Sequence, residues 1–203
     1  ALTLLAVVGH LAALHVPAIG CGTLACLVAF HLWQGSFAGY EANLARRMYD
    51  LFFMGRTSVL LTGFSVVAAG VAGWLLHQGR RASAISYLAG SGGIAALSIF
   101  TAIVVGFFGA GVQEPNLASV VLLLYAVVLL VASYRFPVAA LTWGGSALLL
   151  LGCVHCVGWN TVIQTWLAGV SLLPTRPVLV GVLLHGLIVT LAACLLSRRE
   201  ASL

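Results

Sequence analysis

The residues best suited to chemistry in this chain are its six histidines, because almost nothing else that ionises lies within its apolar runs. They are His10, His15, His31, His77, His155 and His185. The chain has no lysine and only four acidic residues, none of which falls inside a long apolar run. A neutral imidazole is a common ligand for haem iron and other metals. Ligation by histidine is therefore the first chemistry that the sequence suggests.

The composition then limits the class of protein. Hydrophobic residues make up 62% of the chain and charged residues 6%, whereas a soluble domain needs roughly 25% charged residues. Apolar runs of about 20 residues, enough to cross a hydrocarbon core of ~30 Å, recur along the sequence. We predict an all-α polytopic transmembrane bundle that forms a single integral-membrane domain over residues 1–203.

Several functions are excluded by what the sequence lacks. Ion-coupled transport usually needs acidic side chains within the membrane, and none lies there. The absence of lysine rules out a retinal Schiff base. No P-loop, H-E-x-x-H or G-x-S-x-G motif is present. The net charge of +5 is spread over arginines that flank the apolar runs, so we expect no nucleic-acid partner.

The apolar runs predict six membrane spans. Their approximate bounds are Leu4–Trp33, Leu51–Leu76, Ser83–Phe108, Leu117–Tyr134, Phe136–Trp159 and Val178–Ser197. Between the last two spans, the mixed polarity of the connector predicts a short interfacial helix at about Thr161–Ser171. Pro174 and Pro177 are expected to keep that helix from running into the sixth span.

The arginines predict the orientation of these spans. Five of them follow spans two, four and six, namely Arg80, Arg81, Arg135, Arg198 and Arg199. The positive-inside rule makes that side cytoplasmic, so we expect both termini to be cytoplasmic, in a bacterial inner membrane. Four arginines disagree with this orientation: Arg46, Arg47, Arg56 and Arg176.

In this topology three histidines, His31, His155 and His185, lie in the outer half of the membrane. Two of them are predicted to hold one b-type haem, with His155 and His185 as the leading metal ligands. Arg176 is expected to pair with a haem propionate. The ordinary alternative for each histidine is a hydrogen bond to a neighbouring helix. A two-haem design is unsupported, since no pair of histidines repeats a spacing that would serve both faces.

Two further patterns each have a plain and a sharper interpretation. The segment Ala89-Gly90-Ser91-Gly92-Gly93 suits close helix packing, or alternatively leaves room for a flat cofactor or a lipid tail. Cys153 and Cys156 form a C-x-x-C in an apolar span, where small buried hydrophobes are expected rather than a redox pair.

These observations predict a small membrane subunit of an electron-transfer complex, which holds haem b or borders a quinone site. One alternative is a cofactor-free structural or accessory subunit of a larger membrane complex. Another is a subunit that binds a chlorophyll-type pigment through a single axial histidine. In each case the expected partners are the lipid bilayer and other membrane subunits.

Overall fold

The fold is taken from a computed structural model that describes residues 14–37, 43–108, 114–136, 138–167 and 177–200. Within these ranges the chain is helical and has no β-strand. The helices are α1 (His15–Trp33), α2 (Leu44–Phe52), α3 (Gly55–His77), α4 (Arg81–Ile103), α5 (Leu117–Arg135), α6 (Ala139–Gly158), α7 (Thr161–Leu167) and α8 (Pro177–Glu200). A π-helical turn, Val104–Phe108, continues α4.

Five helices in the described part of the chain are long and apolar enough to cross a membrane, so the protein is an integral membrane protein. They are α1, α3, α4 with its π-helical turn, α5 and α6. The predicted sixth span falls on α8, in which the apolar stretch Val178–Ala192 is shorter than the other five. The helical bundle is thus confirmed with five spans, and the sixth stays a prediction.

Two predicted span starts differ from the structure by three or more residues. The second span begins at Gly55 rather than Leu51, because Leu51 and Phe52 belong to the separate short helix α2. The fifth begins at Ala139 rather than Phe136. Phe136 has an extended backbone (φ −122°, ψ 108°), as expected of a residue that precedes a proline.

The structure describes only part of the first predicted span and only part of the predicted interfacial helix. Helix α1 ends at Trp33 as predicted, and Pro17 lies in its first turn, where its missing N–H costs no helical hydrogen bond. The predicted start at Leu4 lies outside the described residues. A short helix does begin at Thr161, after α6 ends at Gly158. Its predicted end at Ser171 also lies outside them.

The described residues pack into two compact units, which are considered separately. Unit 1 contains residues 14–37, 43–105 and Glu114, and unit 2 contains 106–108, 115–136, 138–167 and 177–200. The prediction of a single domain stays a prediction.

In unit 1, hydroxyl groups join the antiparallel helices α3 and α4. Ser91 Oγ donates to Ser65 O over 2.8 Å, and Ser98 Oγ donates to Ser58 O over 2.7 Å. Lipid is as apolar as the helix surfaces, so the hydrophobic effect does not bring helices together there, and hydrogen bonds of this kind help to do so. Leu27 of α1 completes a small apolar core by packing with Leu61 and Ile94.

In unit 2, three glycines allow the helices to approach closely. A Cβ added at Gly145 would lie 2.8 Å from Leu130 Cγ, and one at Gly152 would lie 2.6 Å from Leu123 Cδ2. At Gly181 of α8 it would lie 2.7 Å from Val154 Cα. By contrast, no described atom lies within 4 Å of a Cβ added at Gly63, Gly70, Gly73, Gly92 or Gly93. Close packing among the described helices therefore does not explain these five glycines.

Candidate functional site

His31 lies in the last turn of α1, where it is 5% exposed and bonded to the start of α3. Its Nε2 lies 3.1 Å from Thr57 Oγ1. Thr57 Oγ1 itself donates to the carbonyl oxygen of Leu51 over 2.6 Å, so its only hydrogen is already used. His31 Nε2–H must then donate to Thr57 Oγ1. The other ring nitrogen, Nδ1, is buried and has no hydrogen-bond partner.

A cavity of about 90 Å³ lies beside this pair. His31 and Thr57 line it together with Phe37, Met48 and Phe52. The remaining lining residues are Leu24, Leu27, Val28 and Leu51, so none of the lining side chains carries a formal charge. The cavity thus has an apolar wall that is interrupted by two polar residues, His31 and Thr57.

A larger apolar groove of about 480 Å³ shares Leu24, Leu27 and Phe52 with this cavity. It runs between α1 and α4, and Ala89, Gly90 and Gly93 of α4 line it. Along α1 its lining starts at Val16, which is roughly 22 Å from His31 at 1.5 Å per residue. The glycine-rich segment therefore leaves space at Gly93, where no described atom lies within 4 Å of an added Cβ, whereas an added Cβ at Gly90 would lie 2.9 Å from Ile19 Cδ1 of α1. Each interpretation of this segment thus applies to one of these two glycines.

Polar contacts fix the same end of unit 1. Arg56 Nη1 donates to Gln34 Oε1 over 2.9 Å, and Arg56 forms an ion pair with Glu114. Arg47 Nε donates to the carbonyl oxygen of Ser36 over 2.7 Å. These contacts join the end of α1 to the starts of α2 and α3.

His155 is the most buried histidine among the described residues, and both of its ring nitrogens are hydrogen-bonded. Its Nε2 lies 3.2 Å from the carbonyl oxygen of Gly106, which can only accept, so Nε2–H is the donor. Its Nδ1 then accepts from Ser119 Oγ over 2.7 Å. Ser119 Oγ in turn accepts from Asn160 Nδ2 over 3.0 Å.

Asn160 also caps the following helix. Its Oδ1 accepts from the backbone N–H groups of Val162 and Ile163, each over 3.2 Å. An N-cap of this kind satisfies donors that have no partner within the helix. The His155 network thus fixes the end of α6, the start of α7 and the first turn of α5 to one another.

The other histidines have less to offer a ligand. His185 is half-buried and its Nε2 is hydrogen-bonded to Ser146 Oγ over 3.1 Å. His77 is exposed at the end of α3. His15 is buried, with its ring 5.2 Å from that of Tyr87 and its Nδ1 unpaired, but it lines neither of the two cavities. His10 and Arg176 lie outside the described residues.

These contacts bear on the predicted haem site without deciding it. His31 belongs to unit 1, whereas His155 and His185 belong to unit 2. Ligation of iron by His155 would cost one of its two hydrogen bonds, and ligation through Nε2 of His185 would cost its bond to Ser146. Haem ligation by two of the three histidines therefore stays a prediction.

Neither thiols nor metal clusters add a further site in the described ranges. No group of three or more His, Cys, Asp or Glu side chains that could hold a metal ion occurs there. Cys153 is buried in α6 and Cys156 is half-buried, and neither forms a disulfide. Cys21 and Cys26 are exposed on α1, and Cys21 lines the groove.

The residues that sequence reasoning missed are the partners of the histidines. Thr57 and Ser119 are separated from His31 and His155 by 26 and 36 positions. Each lies near the start of an apolar helix, where no motif distinguishes it from other small polar residues. Gly106 contributes only a carbonyl oxygen, for which the sequence carries no signal.

Comparisons with protein-family models, with curated proteins and with solved structures gave no match to this chain.

Proposed function

We propose that this chain is an integral-membrane subunit of an electron-transfer complex, and that it binds an isoprenoid quinone in unit 1. The observation that carries this proposal is an uncharged cavity beside His31 and Thr57 that shares three lining residues with an apolar groove. A ligand with a polar ring and an apolar tail would fit such a pair of spaces, with the ring beside His31 and Thr57 and the tail in the groove.

The lining of the cavity favours a neutral aromatic head over a lipid headgroup. None of the lining side chains is charged, and the nearby Arg56 already pairs with Glu114, so a phosphate or carboxylate in the cavity would have no lining cation to replace its hydration. Phe37 and Phe52 offer aromatic surface to a flat ring. The tail would follow α1 and α4 along Gly90 and Gly93.

The outer surface of the helices supports the subunit part of the proposal. Large apolar side chains of α1 that do not line the cavity or the groove are exposed, for instance Leu32 at 59% and Trp33 at 85%. Lipid or other membrane subunits would cover them. We place the chain in a bacterial inner membrane with six spans and both termini cytoplasmic, which agrees with the arginines that follow α3 and α5.

The test is the quinone content of the purified protein. Wild-type protein purified from quinone-containing membranes should carry about one quinone per chain after solvent extraction and chromatography. Gly93→Leu should lower this content at least fivefold, because the new side chain enters the groove without meeting any protein atom within 4 Å at its Cβ. Gly92→Leu is the matched control, since Gly92 is equally open but does not line the groove.

The alternatives give different results in the same preparation. Equal quinone content in both variants, or none in the wild type, would contradict the proposal and favour a cofactor-free structural subunit. An absorption scan of the extract distinguishes haem and chlorophyll-type pigment. A haem band lost in both His155→Ala and His185→Ala would support the haem site instead.

A further inference from the structure

We propose that Met48 is a redox-sensitive modification site, at which oxidation of the thioether to the sulfoxide weakens the binding of quinone. The inference rests on the proposed quinone site and adds its regulation. It follows from the position of Met48, which lines the cavity beside His31 and is also exposed at the surface of the protein.

Met48 differs in both respects from the other methionine of the chain, Met54. Met48 is 46% exposed and lines the cavity. Met54 is 9% exposed and lines neither the cavity nor the groove. Since an oxidant must reach the sulfur, we expect Met48 to react before Met54. Met54 is therefore an internal control for any experiment on Met48.

Helix α2 carries Met48 at one surface of the membrane. It lies between the end of α1 and the start of α3, which are both long and apolar enough to cross a membrane. Arg46, Tyr49 and Asp50 of the same helix are exposed. Charged side chains are costly within the hydrocarbon core and belong in the headgroup and water layer. A water-soluble oxidant therefore has access to this helix.

The reaction is a two-electron oxidation of the thioether by a hydroperoxide. The sulfur of Met48 attacks one peroxide oxygen, so that an S–O bond forms while the O–O bond breaks. With hydrogen peroxide, the sulfur keeps one oxygen and the other leaves as water. A methionine sulfoxide reductase reverses the step with two thiols, which become a disulfide while the oxygen leaves as water.

The sulfoxide changes the wall of the cavity beside which the ring would lie. Among the lining side chains only His31 and Thr57 carry a polar hydrogen, and both hydrogens are already donated, to Thr57 Oγ1 and to the carbonyl oxygen of Leu51. The new oxygen then either stays in the cavity without a donor or turns to water and withdraws the side chain from the ring. Either outcome should weaken quinone binding about fivefold or more.

The experiment uses the full chain in detergent with decylubiquinone as the ligand. Its dissociation constant is measured before and after treatment with hydrogen peroxide, and peptide mass spectrometry gives the extent of oxidation at Met48 and Met54. In the wild type, Met48 should be oxidised before Met54, and the dissociation constant should rise about fivefold or more. Saturating decylubiquinone should slow the oxidation of Met48, because a bound ring covers it. Reductases for the two sulfoxide epimers should restore the affinity.

Met48→Leu separates the effect of Met48 from that of other oxidisable groups. Cys21 is exposed and lines the groove, so peroxide can modify it as well. Leucine is apolar but has no sulfur, so peroxide should leave the dissociation constant of this variant at the variant's own untreated value. An equal loss of affinity in the variant and in the wild type would place the effect at another group and overturn the inference.

Other outcomes distinguish this regulation from the quinone site on which it rests. Full oxidation of Met48 without a change in affinity would overturn the regulation and leave the quinone site in place. Oxidation of Met54 before Met48 would overturn it too, because Met48 would then not be the accessible methionine. Failure of the untreated protein to bind decylubiquinone would overturn the quinone site itself.

Discussion

Two histidines that look equivalent in the sequence differ in the hydrogen bonds that their ring nitrogens make. His31 and His155 are both buried near the end of a membrane-spanning helix. His155 has partners for both ring nitrogens, whereas His31 has a partner for only one. A satisfied imidazole stabilises the fold, whereas a buried imidazole nitrogen without a partner calls for an explanation. Burial alone would have ranked His155 first.

The structural role assigned to the His155 network can be tested at Ser119. Ser119→Ala leaves His155 Nδ1 without a donor and leaves Asn160 Nδ2 with only a 3.4 Å contact to the carbonyl oxygen of Asn116. We expect the free energy of unfolding to fall by about 1–3 kcal/mol. Thermal or denaturant unfolding in detergent measures this.

Ser133→Ala is the matched control on the same helix. Ser133 Oγ donates only to the carbonyl oxygen of Leu130 within α5, so its loss should cost less than about 0.5 kcal/mol. Equal stabilities of the two variants would show that the network contributes nothing to the fold.

Among the helices, the lengths of the apolar runs predicted that each helix exists but not the residue at which it begins. Leu51 and Phe52 are apolar and lie directly before the second span, so the sequence predicts them as part of that span. The turn at Phe53 and Met54 that separates α2 from α3 depends on three-dimensional contacts, including the bond of Thr57 to Leu51. The groove beside α4 was one of two interpretations of its glycines, and the sequence alone could not choose between them.

The glycine contacts of unit 2 predict a contrast within α8. Gly181→Ala places a Cβ 2.7 Å from Val154 Cα and 3.0 Å from Val154 N, so one of the two helix backbones must shift. We expect a loss of about 1–3 kcal/mol in the free energy of unfolding. Gly186→Ala meets nothing within 4 Å and should be neutral or slightly stabilising. Unfolding of both variants in the same detergent measures the difference, and a Gly181→Ala variant as stable as the wild type would refute the close approach.

At the scale of the whole molecule, composition alone predicted an integral-membrane helical protein. Two of the four arginines that disagree with the predicted orientation, Arg47 and Arg56, have local partners. Arg56 pairs with Glu114 and Gln34, and Arg47 bonds the carbonyl oxygen of Ser36. These contacts hold the end of α1 against α2 and α3, around the cavity of His31. Their role could not be predicted from charge counts, because it depends on partners distant in the sequence.

Photo-crosslinking can show whether unit 1 binds a quinone with its head beside His31. The purified chain is illuminated with an azido-substituted decylubiquinone, digested, and analysed by mass spectrometry. The account predicts labelled peptides that contain Phe37, Met48 or Phe52, the residues that line the cavity. Excess decylubiquinol should suppress this labelling. Labelling confined to unit 2, or labelling that decylubiquinol does not suppress, would contradict the account.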